Sequence, residues 1–403
     1  MLPLLKWGEV MEIKINLKEN YDVIVVGGGV AGVAAAVASS RNGAKTLLME
    51  KTVTLGGLGT QGLISWYEPL CNGEGKQLIS GIPEELIKLC VKYGFENMPK
   101  KWGGEGVCPL DDKRYVARYS PYVFALGLIE YLEENKVDII LDTLATYPKM
   151  ENNLCVGIEV ETVAGREYYP AKVVVDATGT AVVCERAGIP TEVGENYLSY
   201  VTHEMNINNA NQLAKTGDFC AARCWRGAGS NLAGVGHPEG MKTLHGVTAE
   251  DVTFDMTTGG KMVLERIKKQ DKNTFDILSA PTMPQYRKIR RIIGDSEFLG
   301  TEDNLVPENS VGSFGDFRKP GRKFHLPYTT LFNSEVPNVF AAGRIISAKD
   351  EGWEITRVIP VAAMSGEAAG TAAALCVKNN ITAPKMNIAE LQATLKNAGV
   401  LFE

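Results

Sequence analysis

Three glycines near the start of the chain have the spacing of a turn that binds phosphates. Gly27, Gly29 and Gly32 form a G-x-G-x-x-G pattern directly after the apolar run DVIVV, and a helix-favouring segment follows them. The first glycine permits a tight turn, the second lets the backbone approach a pyrophosphate, and the third lets helix and strand pack closely. Val30 and Ala31 would begin the helix, whose free N–H groups would face the phosphates. The pattern therefore predicts a dinucleotide site.

An acidic residue ends the next predicted strand. Glu50 closes the apolar segment TLLME, at the distance from the glycines where a carboxylate binds both ribose hydroxyls of an adenosine, and Lys51 follows it. A carboxylate in this place favours an adenosine without a 2′-phosphate. The strand, the glycines and the acid together fit either NAD or FAD.

Further glycine-rich segments favour the flavin. The loop KTVTLGGLGTQG follows directly, at the carboxyl end of a strand, where a flavoprotein would bring backbone against the ribityl chain and the isoalloxazine edge. The strands AKVVVDATGTA and NVFAAGRIIS also end in small residues. The residues expected to contact the cofactor in these segments are Gly57, Leu58, Thr178, Gly179, Gly343 and Arg344.

The same segments resemble a known family. EKTVTLGGLGTQGL, VVVDATGTA, FAAGRIIS and RVIPVAAMSGEAAGTAAAL are similar to the FAD-dependent oxidoreductases of bacteria, within the glutathione-reductase-like flavoproteins with two dinucleotide-binding domains. The resemblance covers most of the chain and is weakest from about 195 to 325. It implies that Ala145 lies near the adenine and that Ile359, at the start of the last long helix, lies near the flavin pyrimidine edge. Arg344 stands where the wider group has Asp, and the closer family also has Arg.

Four residues are candidates for chemistry at the flavin. His325 lies in RKFHLPYTTL, where the family often has a His, and Arg357 precedes the last long helix, beside the expected flavin ring. His245 lies in the expected substrate domain. Arg290, in a segment expected to be helical, would bind a substrate carboxylate. His203 is a further candidate, and each of these side chains also fits a structural role as a hydrogen-bonded His or an ion-paired Arg.

These segments predict an α/β fold. A Rossmann-like FAD-binding domain, with a parallel sheet and an antiparallel β-meander, would carry an inserted α+β substrate domain. The FAD-binding domain is expected to be discontinuous, and turns at 151–153 and 164–165 delimit its meander. The expected divisions are 18–65, 121–194 and 326–380 for the FAD-binding domain, 66–120 for an insertion over the flavin, 195–325 for the substrate domain and 381–403 for a C-terminal helix.

Composition limits the partners. The 403 residues carry a formal net charge of −6 without a long basic run, which argues against nucleic acid. The opening segment MLPLLKWGEVMEIKINLKEN is too charged for a membrane span, and no metal site is predicted. The eight cysteines form no Cys-x-x-Cys pair and are expected to be reduced thiols, as in a cytoplasmic protein.

The favoured function is hydride transfer between FAD and an unidentified small organic substrate. No His or Cys stands out as a covalent attachment point, so FAD is expected to bind non-covalently. Two alternatives stay open. One is a fumarate-reductase-like flavoprotein subunit that exchanges electrons with a partner protein, and the other is a non-redox or cofactor-biosynthetic FAD protein. The oligomeric state is unknown from the sequence.

Overall fold

The computed structural model describes residues 15–105, 112–231 and 234–403. The strands are β1 (Asn16–Leu17), β2 (Tyr21–Val26), β3 (Thr46–Met49), β4 (Trp66–Tyr67), β5 (Ala117–Arg118), β6 (Asp138–Ile140), β7 (Leu144–Glu151), β8 (Leu154–Thr162), β9 (Gly165–Asp176), β10 (Thr191–Val193), β11 (Ser199–Asn206), β12 (Cys224–Gly229), β13 (Phe275–Ser279), β14 (Arg290–Ile292), β15 (Ser310–Gly315), β16 (Lys323–Pro327) and β17 (Val339–Ala341). The α-helices are α1 (Val30–Arg41), α2 (Ile82–Lys92), α3 (Pro121–Glu134), α4 (Val182–Arg186), α5 (Ile207–Thr216), α6 (Phe219–Ala222), α7 (Ala249–Ile267), α8 (Glu351–Thr356), α9 (Ile359–Asn379) and α10 (Ile388–Asn397).

A mostly parallel sheet lies at the centre of the fold. Parallel strands run in the order β6-β3-β2-β9-β17, and β8 and β7 extend the first half of β9 as an antiparallel meander. β2 is almost entirely buried, which its continuous apolar sequence permits because a central parallel strand is covered on both faces. The predicted α/β fold with a parallel sheet and a meander is confirmed, and both turns of the meander fall where the sequence indicates.

Four of the parallel strands end side by side. Val26 of β2 pairs with Met49 of β3 on one side and with Asp176 of β9 on the other, and Asp176 pairs with Ala341 of β17. The carboxyl ends of the four strands are therefore aligned, and the carboxyl edge of such a sheet is where ligands bind. The segments that begin at 27, 50, 177 and 342 are thereby brought together.

Helices α1 and α9 pack in backbone contact. A Cβ on Gly366 would lie 2.1 Å from Ala31 O, and a Cβ on Gly370 would lie 2.0 Å from Ala35 O. Because a close-packed interior cannot absorb such overlaps, any side chain at these two glycines would push the helices apart. The many small residues of α9 thus serve close packing, as its composition predicts.

Burial also explains why α9 is so apolar. It is the one helix in the described part of the chain that is long and apolar enough to cross a membrane, but 89% of its apolar window is buried inside the protein. It packs against α1, α2 and strands of the central sheet. A helix that is apolar all round and covered on all sides is a core helix.

A smaller antiparallel sheet lies within the segment predicted as the substrate domain. β11 is its central strand, between β12 and β13, and α7 packs on it closely enough that a Cβ on Gly259 would lie 2.5 Å from Tyr200 Cβ. A second hydrophobic cluster, separate from the main one, contains Leu244, Tyr286 and Ile289. We call residues 195–289 the second unit.

Some predicted boundaries cross the main core. Leu86 and Ile87 of α2, from the expected insertion, belong to the main hydrophobic cluster. Phe314 of β15 and Phe324 of β16, from the expected substrate domain, belong to it as well. The division into domains stays a prediction, and packing links 82–92 and 310–327 to the central sheet.

The described cysteines form no disulfide with one another. Cys71, Cys90, Cys155, Cys184 and Cys376 are buried. Cys108 and residues 1–14, which include most of the opening segment, lie outside the described residues.

Candidate functional site

A cleft opens at the carboxyl edge of the parallel sheet, where the four strand ends meet. Its cavity volume is about 250 Å³. The segments that follow β2, β3, β9 and β17 line it, together with the start of α9 and residues of the second unit from 246 to 289. The cleft is thus formed between the sheet and the second unit.

The first glycine turn has the geometry that its spacing predicts. Gly27 has a φ of +105°, and a Cβ there would lie 2.6 Å from Ala177 O. A Cβ on Gly32 would lie 1.8 Å from Gly27 O, whereas a Cβ on Gly29 would meet no other protein atom within 4 Å and would occupy the cleft. α1 begins at Val30 without a side-chain cap or an acidic residue in its first turn. Its first N–H groups are therefore oriented for an anion in the cleft.

Glu50 lines the cleft, and the protein already holds its carboxylate. Oε2 accepts a hydrogen bond from Gly28 N at 2.7 Å, and Oε1 accepts from Thr52 N at 2.9 Å and Thr52 Oγ1 at 2.8 Å. Each carboxylate oxygen has about two acceptor positions, so one remains on Oε2 for a ligand hydroxyl. Glu50 in this arrangement has room for a further donor on Oε2, and its contact with both ribose hydroxyls stays a prediction.

Two arginines line the cleft. Arg344 donates from Nε to Gly179 O at 2.8 Å and from Nη1 to Tyr286 O at 2.9 Å. Burial and the nearby charge of Arg357 lower the pKa of Arg344 to about 10, so it stays charged at neutral pH. Arg357 donates to Glu354 Oε2 from Nη2 at 2.5 Å. Arg344, which bonds carbonyl oxygens and not a carboxylate among the described residues, would gain its counterion from an anion in the cleft.

A second helix N-terminus faces the cleft. α9 begins at Ile359 without a side-chain cap or an acidic residue in its first turn, and Ile359 and Ala362 line the cleft. Helix N-termini carry a partial positive charge that stabilises anions. Two helix N-termini and two arginines suit a ligand with more than one negatively polarised part, as a flavin dinucleotide has.

Most residues predicted to bind the cofactor line this cleft. They are Gly27, Gly29, Val30, Ala31, Glu50, Lys51, Gly57, Leu58, Thr178, Gly179, Gly343, Arg344 and Ile359. Gly32 does not line the cleft, and its role is to let α1 pack closely against the turn at Gly27. Ala145 is also absent from it, although the N–H of Thr143 donates to Glu50 O at 3.0 Å, so β7 starts beside the cleft.

Of the four residues predicted to act in catalysis, only Arg357 lines the cleft. His325, the first choice from the sequence, lies on β16 and is 2% exposed. Its Nδ1 is 3.0 Å from Ser310 Oγ and its Nε2 is 2.9 Å from Glu403 O. Burial lowers the pKa of His325, and both of its ring nitrogens are occupied by the fold, away from the cleft.

The two histidines of the second unit have different positions. His245 is exposed, and its Nδ1 is 2.9 Å from Gly194 O. The next residue, Gly246, lines the cleft, but His245 does not. His203 lines a different cavity.

The segment around Arg290 is a strand, so the predicted helix is wrong. β14 pairs antiparallel with β10, and Arg290 Nη1 lies 3.4 Å from Glu185 Oε2. The adjacent Arg291 is fully buried between Glu192 at 2.5 Å and Glu297 at 2.6 Å. Neither arginine lines the cleft, because ion pairs with the surrounding fold hold both of them.

Sequence reasoning missed several residues of the cleft. Gln61 donates from Nε2 to Thr52 Oγ1 at 2.9 Å and to Thr54 O at 2.7 Å, and so ties the glycine loop to the segment after Glu50. Polar residues directly after the loop, in the letters TQG, are a signal for this role. Pro284 and Tyr286 line the cleft through tertiary packing, which no local pattern announces.

Known proteins share parts of this sequence. The digeranylgeranylglycerophospholipid reductase of Methanoculleus marisnigri is 29% identical over 185 residues, which cover 44% of this chain and 43% of that protein. The tRNA uridine 5-carboxymethylaminomethyl modification enzyme of Lactococcus lactis subsp. cremoris (strain MG1363) is 66% identical over 35 residues, or 9% of this chain and 6% of that protein. The chain thus spans less than half the length of these curated relatives.

One solved structure is similar to this one over most of the chain. A geranylgeranyl bacteriochlorophyll reductase-like protein of Thermoplasma acidophilum has a TM-score of 0.49 and 17% identity, over 95% of this chain and 84% of that chain. The sequence pattern of one family, described as FAD dependent oxidoreductase, matches residues 22–274 and 307–395, which include nearly all of the cleft. The chain therefore belongs to the FAD dependent oxidoreductase family, and FAD is its cofactor.

Proposed function

We propose that the protein holds FAD non-covalently in the cleft and transfers a hydride between the flavin and a small organic molecule. The observation that carries this proposal is that the strands ending at Val26, Met49, Asp176 and Ala341 end side by side, which brings four glycine-containing segments to one place. Bound FAD supplies the hydride chemistry, and the protein supplies binding and orientation.

The lining residues suit the separate parts of FAD. The N-terminus of α1 and the cavity at Gly29 fit the pyrophosphate, and Glu50 Oε2 fits a ribose hydroxyl. The N-terminus of α9 and the guanidinium of Arg357 fit the flavin, where they would stabilise negative charge on the reduced ring. Arg344 fits an anionic part of the cofactor between these ends.

Two further observations support a reaction on an organic molecule. The second unit supplies part of the cleft through Pro284 and Tyr286, so an element other than the dinucleotide-binding sheet lies beside the cofactor site. One relative is named as a reductase of a phospholipid, which supports redox chemistry on a carbon compound.

The test is an absorbance spectrum of the purified protein before and after acid precipitation. We expect a flavin band that moves entirely into the supernatant, and then bleaching of the flavin under anaerobic conditions by one member of a panel of small organic reductants. A protein that stays colourless after incubation with FAD would contradict the cofactor site. Flavin that remains in the pellet would contradict non-covalent binding.

A control separates the proposal from electron exchange with a partner protein. The same bleaching assay is run with the purified protein alone and with a cell extract freed of small molecules. Reduction that needs a protein fraction from the extract would favour a flavoprotein subunit and count against a small-molecule substrate.

A further inference from the structure

A second cavity, of about 390 Å³, lies next to the FAD cleft. We call it the arginine cavity and define it by Ser65, Trp66, Arg118, His203, Arg223 and Trp225. Tyr119 also lines it and donates from its hydroxyl to Gly59 O at 2.9 Å, and Gly59 lines the cleft. The linings of the two cavities therefore touch where Tyr119 meets Gly59.

The arginine cavity is positively charged. Arg118 and Arg223 line it, and no Asp or Glu of the described chain does. The guanidinium of Arg118 lies over the ring of Trp66 at 4.3 Å, and its Nε is buried without a hydrogen-bond acceptor in the described structure. Arg223 donates from Nη1 to Ser120 Oγ at 3.3 Å. Both cations lack a carboxylate partner within the cavity, although such partners are what guanidinium groups pair with best.

The carboxylate of Glu68, which interacts with Arg118, is also paired with another arginine. Glu68 interacts electrostatically with Arg118, but its Oε2 is 2.8 Å from Arg114 Nη2, and it does not line the cavity. Burial raises the pKa of Glu68. The positive charge of the cavity is therefore incompletely balanced by the protein.

His203 adds an unpartnered polar atom to the same cavity. It is 3% exposed, and its Nε2 lies 3.3 Å from Ser65 Oγ, but its Nδ1 is buried without a partner in the described structure. Burial and the charge of Arg223 lower the pKa of His203 to about 4, so the ring is neutral at neutral pH. A buried polar group without a partner costs free energy, which a bound ligand would recover.

We propose that the arginine cavity binds the carboxylate of a small organic anion with a planar carbon skeleton, and that this anion is the substrate class of the flavin reaction. The proposal deepens the proposed function and rests on it. Arg118 and Arg223 would pair with the carboxylate, and His203 would contact the same ligand. The aromatic side chains of Phe95 and Trp225 supply the apolar walls for the planar part.

The test is calorimetric titration of the FAD-loaded protein with sodium benzoate and with benzamide, its uncharged analogue. Wild-type protein is expected to bind benzoate and to show no binding of benzamide over the same range. Arg118→Gln and Arg223→Gln are each expected to weaken benzoate binding by about tenfold or more, because each removes a charge-assisted hydrogen bond. Arg226→Gln is the matched control, because this exposed arginine lies on β12 and does not line the cavity.

The outcomes separate the two proposals. Three results with the FAD-containing protein would overturn the arginine cavity as a carboxylate site. In the first, wild-type protein fails to bind benzoate, and in the second, it binds benzamide equally well. In the third, Arg226→Gln weakens benzoate binding as much as Arg118→Gln and Arg223→Gln do. A protein that binds benzoate through Arg118 and Arg223 but cannot hold FAD would overturn the proposed function and the role of the anion as its substrate, and would leave the carboxylate site itself in place. The flavin spectrum of each variant shows that its fold and FAD site are intact.

Discussion

Glu367 is a carboxyl group buried in the middle of α9, with 1% of its surface exposed. Its Oε2 accepts a hydrogen bond from Ile82 N at 3.0 Å, at the start of α2, and its Oε1 has no partner among the described residues. Burial, with a smaller contribution from Glu85, raises the pKa of Glu367 to about 8. The neutral acid is therefore the form that the fold prefers.

This pKa predicts how stability depends on pH. An acid whose pKa is higher in the folded than in the unfolded chain binds more protons when folded, so stability falls as pH rises from the unfolded value through about 8. Glu367→Gln keeps the bond to Ile82 N and cannot ionise. We expect its melting temperature to exceed that of the wild type at pH 9 and to match it at pH 5, by thermal unfolding at both values.

An exposed glutamate provides the control for that comparison. Glu265 on α7 pairs with Lys268 at 2.6 Å at the surface, so Glu265→Gln should not change the slope between pH 6 and 9. A wild-type protein whose stability is flat over this range would show that Glu367 is not buried as described.

At the scale of single residues, local patterns predicted backbone sites better than side-chain chemistry. The glycine turn and Glu50 line one cleft, as their spacing predicts, because the turn, the helix and the next strand are contiguous in the sequence. His325 was misplaced at the flavin because its ring is held by Ser310 and by the distant Glu403, contacts that no spacing reveals. Arg118 and Arg223 lie 105 positions apart (223 − 118) and meet only in the folded chain.

At the scale of elements, two glycines at the start of α1 have different roles, one in packing and one in ligand binding. A Cβ on Gly32 would overlap Gly27 O at 1.8 Å, whereas a Cβ on Gly29 would meet only the cleft. We expect Gly32→Ala to destabilise the protein by about 1–3 kcal/mol or more, as overpacking does. Gly29→Ala should leave the stability of the FAD-free protein unchanged and weaken FAD binding by about tenfold or more. Thermal unfolding without FAD and fluorescence titration with FAD measure the two effects.

The two glycine variants serve as each other's control. Equal loss of stability in both would mean that α1 packs differently from the arrangement described. Full FAD affinity in Gly29→Ala would remove this turn from the cofactor site.

The sequence predicts helices and strands where the local conformational preference of a segment agrees with its tertiary packing. β2, β3, β17 and the last part of β9 are short apolar runs followed by small or polar residues, a pattern that favours a buried strand. The segment YRKIRRIIGD reads as a helix because Ile289, Ile292 and Ile293 recur at helical spacing. It forms β14 because pairing with β10 and the ion pairs of Arg291 outweigh that weak preference.

For the molecule as a whole, the cleft couples the central sheet to the second unit. Gly27 and Gly343 line it from the sheet, and Gly246 and Tyr286 line it from the second unit. A ligand bound there stabilises both parts, because neither part alone forms the site. We expect FAD at 100 times its Kd to raise the free energy of unfolding by about 2.7 kcal/mol. Denaturant unfolding at several FAD concentrations measures this, with tryptophan fluorescence reporting on both parts.

Two results would contradict this coupling. One is an unfolding transition that FAD does not shift. The other is a pair of transitions of which FAD shifts one, since that would mean that the second unit unfolds without disturbing the bound cofactor.

The wide separation of the cleft residues along the chain also has a consequence for synthesis. The first glycine turn leaves the ribosome early, but Arg344 and the start of α9, including Ala362, leave it last among the residues that line the cleft. A nascent chain therefore exposes an incomplete nucleotide site during most of its translation. Capture of the flavin therefore has to wait until these late segments have been made and have reached the cleft.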